Sequence, residues 1–249
     1  MSRVRLRNAI STPDGTRRYV RRLFTTIADR YDFITRFLSY GQDRRWKRRL
    51  IDLARITRDD AVLDLACGTG DLLFAAAPRA RRVVGLDVTL RMLQLANQRT
   101  RHPQPIARQP PTTNYQLVQA DMLALPFPSA SFTVVTTGYG LRNVPDLPQA
   151  IDEIHRVLAP GGRLLSLDFN RPANAIVRAA YLGYLTVVGS VMGLALHGDP
   201  DTYRYIPESI RNYPGAVGVA RLLEARGFGD VRVVSLLGGL MAIHVARRN

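Results

Sequence analysis

The run Val62 to Asp71, VLDLACGTGD, constrains the fold of this chain more than any other segment. Its first residues are apolar around a lone Asp64, the pattern of a strand buried on both faces, and Gly68 and Gly70 then turn the chain into the apolar helix DLLFAA. A strand, a tight turn and a helix in that order belong to a mostly parallel sheet covered by helices. Glycines in the turn carry no Cβ, so a ligand can approach bare backbone there.

The rest of the 249 residues repeats that alternation. Short apolar runs predict strands over Ala61 to Ala66, Arg82 to Asp87, Tyr115 to Ala120, Phe132 to Thr137, Arg163 to Phe169, Val231 to Leu236 and Met241 to Ala246. Helix-spaced segments predict helices over Val20 to Arg30, Arg44 to Ala54, Gly70 to Ala77, Leu90 to Arg99, Leu147 to Leu158 and Ala216 to Arg226. The prolines of Thr100 to Asn114 predict an irregular surface loop. We expect one domain: a helical cap over 1–55, a ligand-binding core over 56–170, a covering insertion over 171–215, and a closing helix with two strands over 216–249.

The ligand class follows from neighbours of the turn. Asp87 closes the second strand, 23 residues after Asp64, where a carboxylate can accept from both hydroxyls of a ribose. A pyrophosphate site needs a third glycine for close helix packing, and Leu73 stands there. An adenosine cofactor without phosphates fits, and S-adenosylmethionine is one. After the third strand, Asp121 can accept from an adenine amino group or cap the following turn, and Met122 offers a polarizable face to the ring. Pro160 to Gly162 turns a helix into the fifth strand. These features predict an α/β, Rossmann-like class I methyltransferase fold, a seven-stranded mostly parallel sheet with helices on both faces.

Composition adds a partner question. There are 35 basic and 20 acidic residues, a formal net charge of +15, and Lys47 is the sole lysine. Such a surface suits nucleic acid or anionic lipid, and an arginine-rich solvated surface reads the same way. One cysteine, Cys67, permits no intrachain disulfide, consistent with a reducing cytoplasm. The arginine-rich first residues read as a basic tail, not a removed presequence. Ala179 to Leu196 is uncharged but short and glycine-containing for a bilayer span, so a buried or membrane-touching helix is expected.

The stretches ADRYDFITRFLSYGQDRRWKRRL, VLDLACGTGDLL, QADMLALPFPSASFTVVTTGYGLRNVPDL, RVLAPGGRLLSLDF and DTYRYIPESIRNYPG together resemble the ubiquinone/menaquinone C-methyltransferase family, over about Phe24 to His244. The resemblance implies methylation of a ring carbon in a polyprenylated quinol, demethylmenaquinol first among them or a benzoquinol precursor of ubiquinone. It places cofactor contacts on Thr69, Asp87, Asp121 and Met122, beside Asp64, Gly68 and Gly70 of the turn. Gly138 stands where many members have serine, which leaves only a backbone contact. The GYGLRN block leans toward naphthoquinol acceptors.

Carbon methylation requires alignment of two reactants and stabilisation of a quinolate oxygen. Arg142 and Asn143, beyond the fourth strand, are the candidates for that role, and anchoring of their loop is the bland alternative. Tyr31 and Asp32 on an early helix, with Tyr203, Arg204 and Tyr205, are candidates to wall the substrate pocket. His244 is a candidate acid or base or a satisfied core histidine, and His155 is expected at the surface. The four scattered histidines offer no metal site. A nucleic-acid methyltransferase would carry an NPPY-like block where GYGLRN stands, so no nucleic-acid substrate is expected. A cytoplasmic enzyme touching an anionic membrane face, as monomer or homodimer, suits a polyprenyl substrate.

Overall fold

The computed structural model describes Leu6, residues 9–101 and residues 114–249. At its centre lies β1 (Ala61–Leu65), buried at every position because helices cover both faces of the sheet there. Its parallel neighbours are β2 (Arg82–Asp87), with Asp64 opposite Gly85, and β4 (Phe132–Gly138), with Asp64 opposite Thr136. β3 (Tyr115–Gln119) extends the sheet beyond β2, and β5 (Leu158–Phe169) beyond β4. β7 (Met241–Arg248) then runs antiparallel to β5, and β6 (Phe228–Leu236) to β7. The described order is β3-β2-β1-β4-β5-β7-β6. Chain direction across the sheet reverses between β1 and β4, and open α/β sheets bind ligands beyond the carboxyl ends of the strands at such a point.

The helices are α1 (Pro13–Ile27), α2 (Tyr31–Leu38), α3 (Asp43–Ala54), α4 (Asp71–Ala76), α5 (Leu90–Arg101), α6 (Leu147–Val157), α7 (Ala175–His197), α8 (Tyr205–Asn212) and α9 (Gly215–Glu224). One face of the sheet packs on α6 and α9 through Val135, Ile151, Ile154, Leu164 and Val219. The other packs on α3 and α4 through Leu50, Ile51, Val62, Leu73, Leu165 and Ile243. Over the carboxyl ends, α1, α2, α7 and the start of α8 form a separate cluster around Leu23, Ile27, Ile34, Met192, Tyr203 and Tyr205.

All seven predicted strands are present, β2 with the predicted ends and the others with an end shifted. β5 starts at Leu158, five residues early, because Pro160 to Gly162 are absorbed as an irregularity in its pairing with β4, with Gly161 at φ +74°. α1 starts at Pro13 rather than Val20, since Thr12 accepts a hydrogen bond from Gly15 N at 3.1 Å and Pro13 takes the first helical position. α5 reaches Arg101, so the expected loop begins later, and residues 102–113 of it lie outside the described residues. The expected helix near Ala179 to Leu196 runs from Ala175, capped by Asn174, to a stop at Gly198 with φ +67°. The helix over Tyr205–Asn212 has no counterpart in the predicted set.

The turn after β1 behaves as its glycines require. Gly70 sits at φ +91°, and a Cβ there would lie 2.4 Å from the Phe74 ring. Leu73, at the place of a third glycine, is fully buried because the room comes from the neighbouring strand, where a Cβ on Gly85 would stand 2.6 Å from Leu73 Cδ1. The helix still packs tightly on the sheet, but its start is not arranged as a pyrophosphate seat.

Candidate active site

Two adjoining cavities open above the switch point. The first, of about 730 Å³ and open to solvent, is lined by Gly68, Asp87, Asp121, Met122, Gly138 and Asn143 among others. The second, of about 860 Å³, is largely aromatic and aliphatic. It lies under α1, α2 and α7 and includes Arg142, Phe169, Tyr181, Tyr203 and Tyr205. Phe24, Tyr31 and Tyr139 line both. Those three side chains are the partition across which a group would pass.

In the first cavity the carboxylates are already oriented. Asp87 Oδ2 accepts from Gly68 N at 2.9 Å and Oδ1 from Thr89 N at 2.8 Å, leaving one lone pair on each oxygen. Burial raises its pKa above the usual carboxylate range, partly offset by those two donors. Asp121 Oδ1 accepts from Leu123 N at 2.9 Å, so it does cap the following turn, while Oδ2 pairs with Arg17 of α1 at 2.9 Å. Ala66 and Tyr139, at the ends of β1 and β4, line the cleft with φ of +50° and +61°. Non-glycine residues held there cost about 1–3 kcal/mol each, a strain typical of functional sites.

A smaller pocket adjoins the cleft, lined by Asp64, Gly68, Thr69, Asp71, Lys47 and Tyr31. Asp64 Oδ1 accepts from Thr136 Oγ1 at 2.8 Å, whereas its buried Oδ2 has no partner. Burial pushes this carboxyl up to about 7, against the Thr136 hydrogen bond. Lys47 stands opposite, 2.8 Å from both Asp43 and Asp71. Burial favours its neutral form, but Asp71 and Asp43 outweigh that and keep the ammonium charged. Asp71 is held at about 2: burial raises it, and Lys47 and Arg99 lower it further.

The network continues on both sides. Tyr139 donates to Asp43 at 2.7 Å, and Arg99 donates to Asp71 and to Thr69 O, both at 2.8 Å. Thr69 Oγ1 donates to Asp32 at 2.7 Å. Asp32 therefore fastens α2 to the glycine turn and does not line the second cavity. Sequence reasoning missed Lys47, Asp43, Asp71 and Arg99. The signal was the lone lysine in an arginine-rich chain, where a compact ammonium fits between two carboxylates and a planar guanidinium would not.

In the second cavity Arg142 is the feature of interest. It follows β4 in a short 3-10 turn, Leu141–Asn143. Its Nε lies 3.1 Å from Asp168 Oδ1, its Nη1 donates to Ser209 at 2.7 Å and to Asn143 Oδ1 at 3.2 Å, and its guanidinium lies over Phe169 at 4.9 Å. Asp168, 1% exposed at the end of β5, also accepts from Arg142 N and Phe169 N. Asn143 donates to Tyr139 O at 2.6 Å and faces the first cavity, so the two candidates stand on opposite sides of the partition. Tyr203 and Tyr205 line the second cavity; Arg204 between them does not, and pairs with Asp201 at 2.7 Å. Gly70 shapes the turn without lining either cavity.

His244 is a core residue of β7: 1% exposed, with Nε2 2.9 Å from Ala216 O and its pKa lowered by burial. It lines neither cavity. His155, expected at the surface, is half-buried, edge-on to Phe228 at 5.2 Å. Among the described residues no cluster of histidine, cysteine, aspartate or glutamate could hold a metal ion.

A parallel sheet with an antiparallel β7, a glycine turn after β1 and an acid closing β2 define the class I, S-adenosylmethionine-dependent methyltransferase fold. A solved SAM-dependent methyltransferase of Thermotoga maritima has it, with TM-score 0.64 and 15% identity over 92% of this chain and 100% of its own. One from Aquifex aeolicus aligns with TM-score 0.58 and 16% identity over 82% and 89%. The sequence relatives are nearer. A demethylmenaquinone methyltransferase of Thermus thermophilus is 40% identical over 91% of this chain and 100% of its own. A ubiquinone/menaquinone biosynthesis C-methyltransferase of Serratia proteamaculans is 38% identical over 89% and 87%. The model of the ubiE/COQ5 methyltransferase family matches residues 13–248, and this chain belongs to that family.

Proposed function

We propose that this methyltransferase moves a methyl group from S-adenosylmethionine to a ring carbon of a polyprenylated quinol, demethylmenaquinol first, in respiratory quinone biosynthesis. The observation that carries the reading is the pair of cavities that share Phe24, Tyr31 and Tyr139, one carrying the carboxylates of Asp87 and Asp121 on an otherwise largely apolar lining, the other aromatic and aliphatic with Arg142 inside. The names of the Thermus and Serratia relatives support the acceptor class.

The residues fit the cofactor. Asp87 has acceptor capacity left for ribose hydroxyls, and Asp121 with Met122 suits an adenine edge and face. Asp64 Oδ2, buried without a partner, and the charged Lys47 face one small pocket, an acceptor and a donor matched to the ammonium and the carboxylate of an amino acid. Bound there, S-adenosylmethionine supplies an electrophilic methyl.

On the other side the quinol must become a quinolate for its ring carbon to attack, and that carbon then loses its own hydrogen as a proton to water to restore the aromatic quinol. A guanidinium is a poor base, so the role of Arg142 is to stabilise the oxygen anion once the hydroxyl proton has gone to water. Asp168, Ser209 and Phe169 hold the guanidinium in place before substrate arrives, so little reorganisation is needed at the moment of transfer. Tyr139 and Asn143 fix the partition beside it.

A polyprenyl substrate resides in a bilayer. α7 is long and apolar enough by composition to cross one, yet Leu182, Leu185 and Met192 pack on the protein and its remaining face is apolar and outward. That outward face and the basic charge support a peripheral contact with an anionic membrane. One experiment tests both parts: the purified protein is incubated with methyl-labelled cofactor, RNA, and demethylnaphthoquinol in vesicles with or without anionic lipid. We expect label in the extracted quinone and none in RNA, with the protein floating only with anionic vesicles. Label in RNA would overturn the acceptor, and equal flotation on both vesicles the charge argument.

A further inference from the structure

Two tyrosines of the second cavity reach the surface. Tyr40, between α2 and α3, and Tyr184, on α7, both line it and both are exposed. Their rings stack 6.1 Å apart at 22°. Tyr40 is held at φ +51°, a strained conformation for a tyrosine. Space around the pair is open: a Cβ added at Gly41 or Gly183 would meet nothing within 4 Å.

From Tyr184 an apolar stripe leads away. Tyr184, Val187, Val191 and Leu194 follow at helical spacing, so they share one face of α7. The last three are 65%, 62% and 61% exposed. No charged side chain stands between Ala179 and Leu196, although one face of the helix meets solvent. Ten residues of helix give a track of roughly 15 Å. A soluble helix normally turns charge outward, so a bare apolar face continuous with a ligand cavity calls for a ligand that is itself long and apolar.

We propose that Tyr40 and Tyr184 form the gate of the acceptor cavity, and that the acceptor's hydrocarbon tail leaves through it and lies along Val187, Val191 and Leu194. The inference rests on the quinol reading above and adds a tail site separate from the ring site. The ring is held inside against Arg142. The tail stays outside on α7, so its length need not be matched by the cavity.

The double variant Val187→Asp/Val191→Asp tests this, since neither residue lines a cavity and both face solvent. Val217→Asp on α9, equally exposed, is the control for added surface charge. Methyl transfer is measured with the full chain in detergent micelles, on two demethylnaphthoquinols that differ only in carrying a polyprenyl tail or none. We expect the double variant to raise KM for the tailed acceptor about tenfold, to leave the tail-less acceptor within twofold, and the control to change neither. Equal effects on both acceptors, or none, would overturn the tail site. So would an effect seen with vesicles but absent in micelles, which would make the stripe a bilayer contact only. If the wild-type protein methylates neither quinol, the reading of function fails and the tail site with it.

Discussion

Replacing Arg142 by lysine is expected to lower kcat about a hundredfold and replacing it by methionine about a thousandfold, while the dissociation constant for S-adenosylmethionine should stay within threefold in both. The magnitudes follow from loss of a preorganised donor at a developing oxyanion, about 2.7–4 kcal/mol. Lysine keeps the charge opposite Asp168 but cannot also reach Ser209 and Asn143 or stack on Phe169, so it recovers only part. Methionine leaves Asp168 buried without its partner, at a cost of about 3–5 kcal/mol, and its melting temperature drops accordingly. The split between kcat and cofactor affinity is the discriminating readout, because Arg142 lines the second cavity and not the first.

The same pair predicts an acid limit. Burial pushes Asp168 up to about 6, with Arg142 opposing the rise. Its carboxylate is ionised at pH 7 and holds the guanidinium; below pH 6 it takes a proton and the anchor is lost. Turnover should therefore fall as pH drops from 7 to 5, and Asp168→Asn should be slow at pH 7 and flatten that limb. An unchanged limb in the variant would assign it to another group.

The second large effect is at Asp87. Asp87→Ala is expected to raise the dissociation constant for S-adenosylmethionine about a hundredfold, whereas saturating cofactor should restore kcat to within a few-fold of wild type. Two charge-assisted hydrogen bonds to ribose hydroxyls are lost, each about 1.5–3 kcal/mol, with some recovered by water. The backbone also suffers, since Gly68 N and Thr89 N lose their acceptor, so the apoprotein melts lower. Asp87→Asn keeps one acceptor oxygen and should stand between the two. Isothermal titration of the three proteins decides it, and equal affinities would remove Asp87 from the cofactor site.

Much of this was legible in the chain because the informative residues are adjacent. VLDLACGTGD puts strand, turn and helix side by side, and Asp87 lies one strand away. What was illegible depends on residues distant in sequence. The Lys47 relay joins positions 43, 47, 71, 99 and 139, and the anchor of Arg142 joins 142, 168 and 209; only the sheet brings these together. The triplet Tyr203, Arg204, Tyr205 reads as a unit in sequence, but the chain enters α8 there and turns both tyrosines inward and the arginine out to Asp201. The early start of β5 was hidden because Pro160 and two glycines read as a turn, whereas the sheet accommodates them as an irregularity in the pairing of β4 with β5.

The acceptor is the central claim, and the quinone profile of a strain lacking this gene tests it most directly. The account predicts that lipid extracts accumulate a quinone short of one ring methyl, restored by the wild-type chain and not by its Arg142→Met variant. A profile indistinguishable from the parent strain would contradict it.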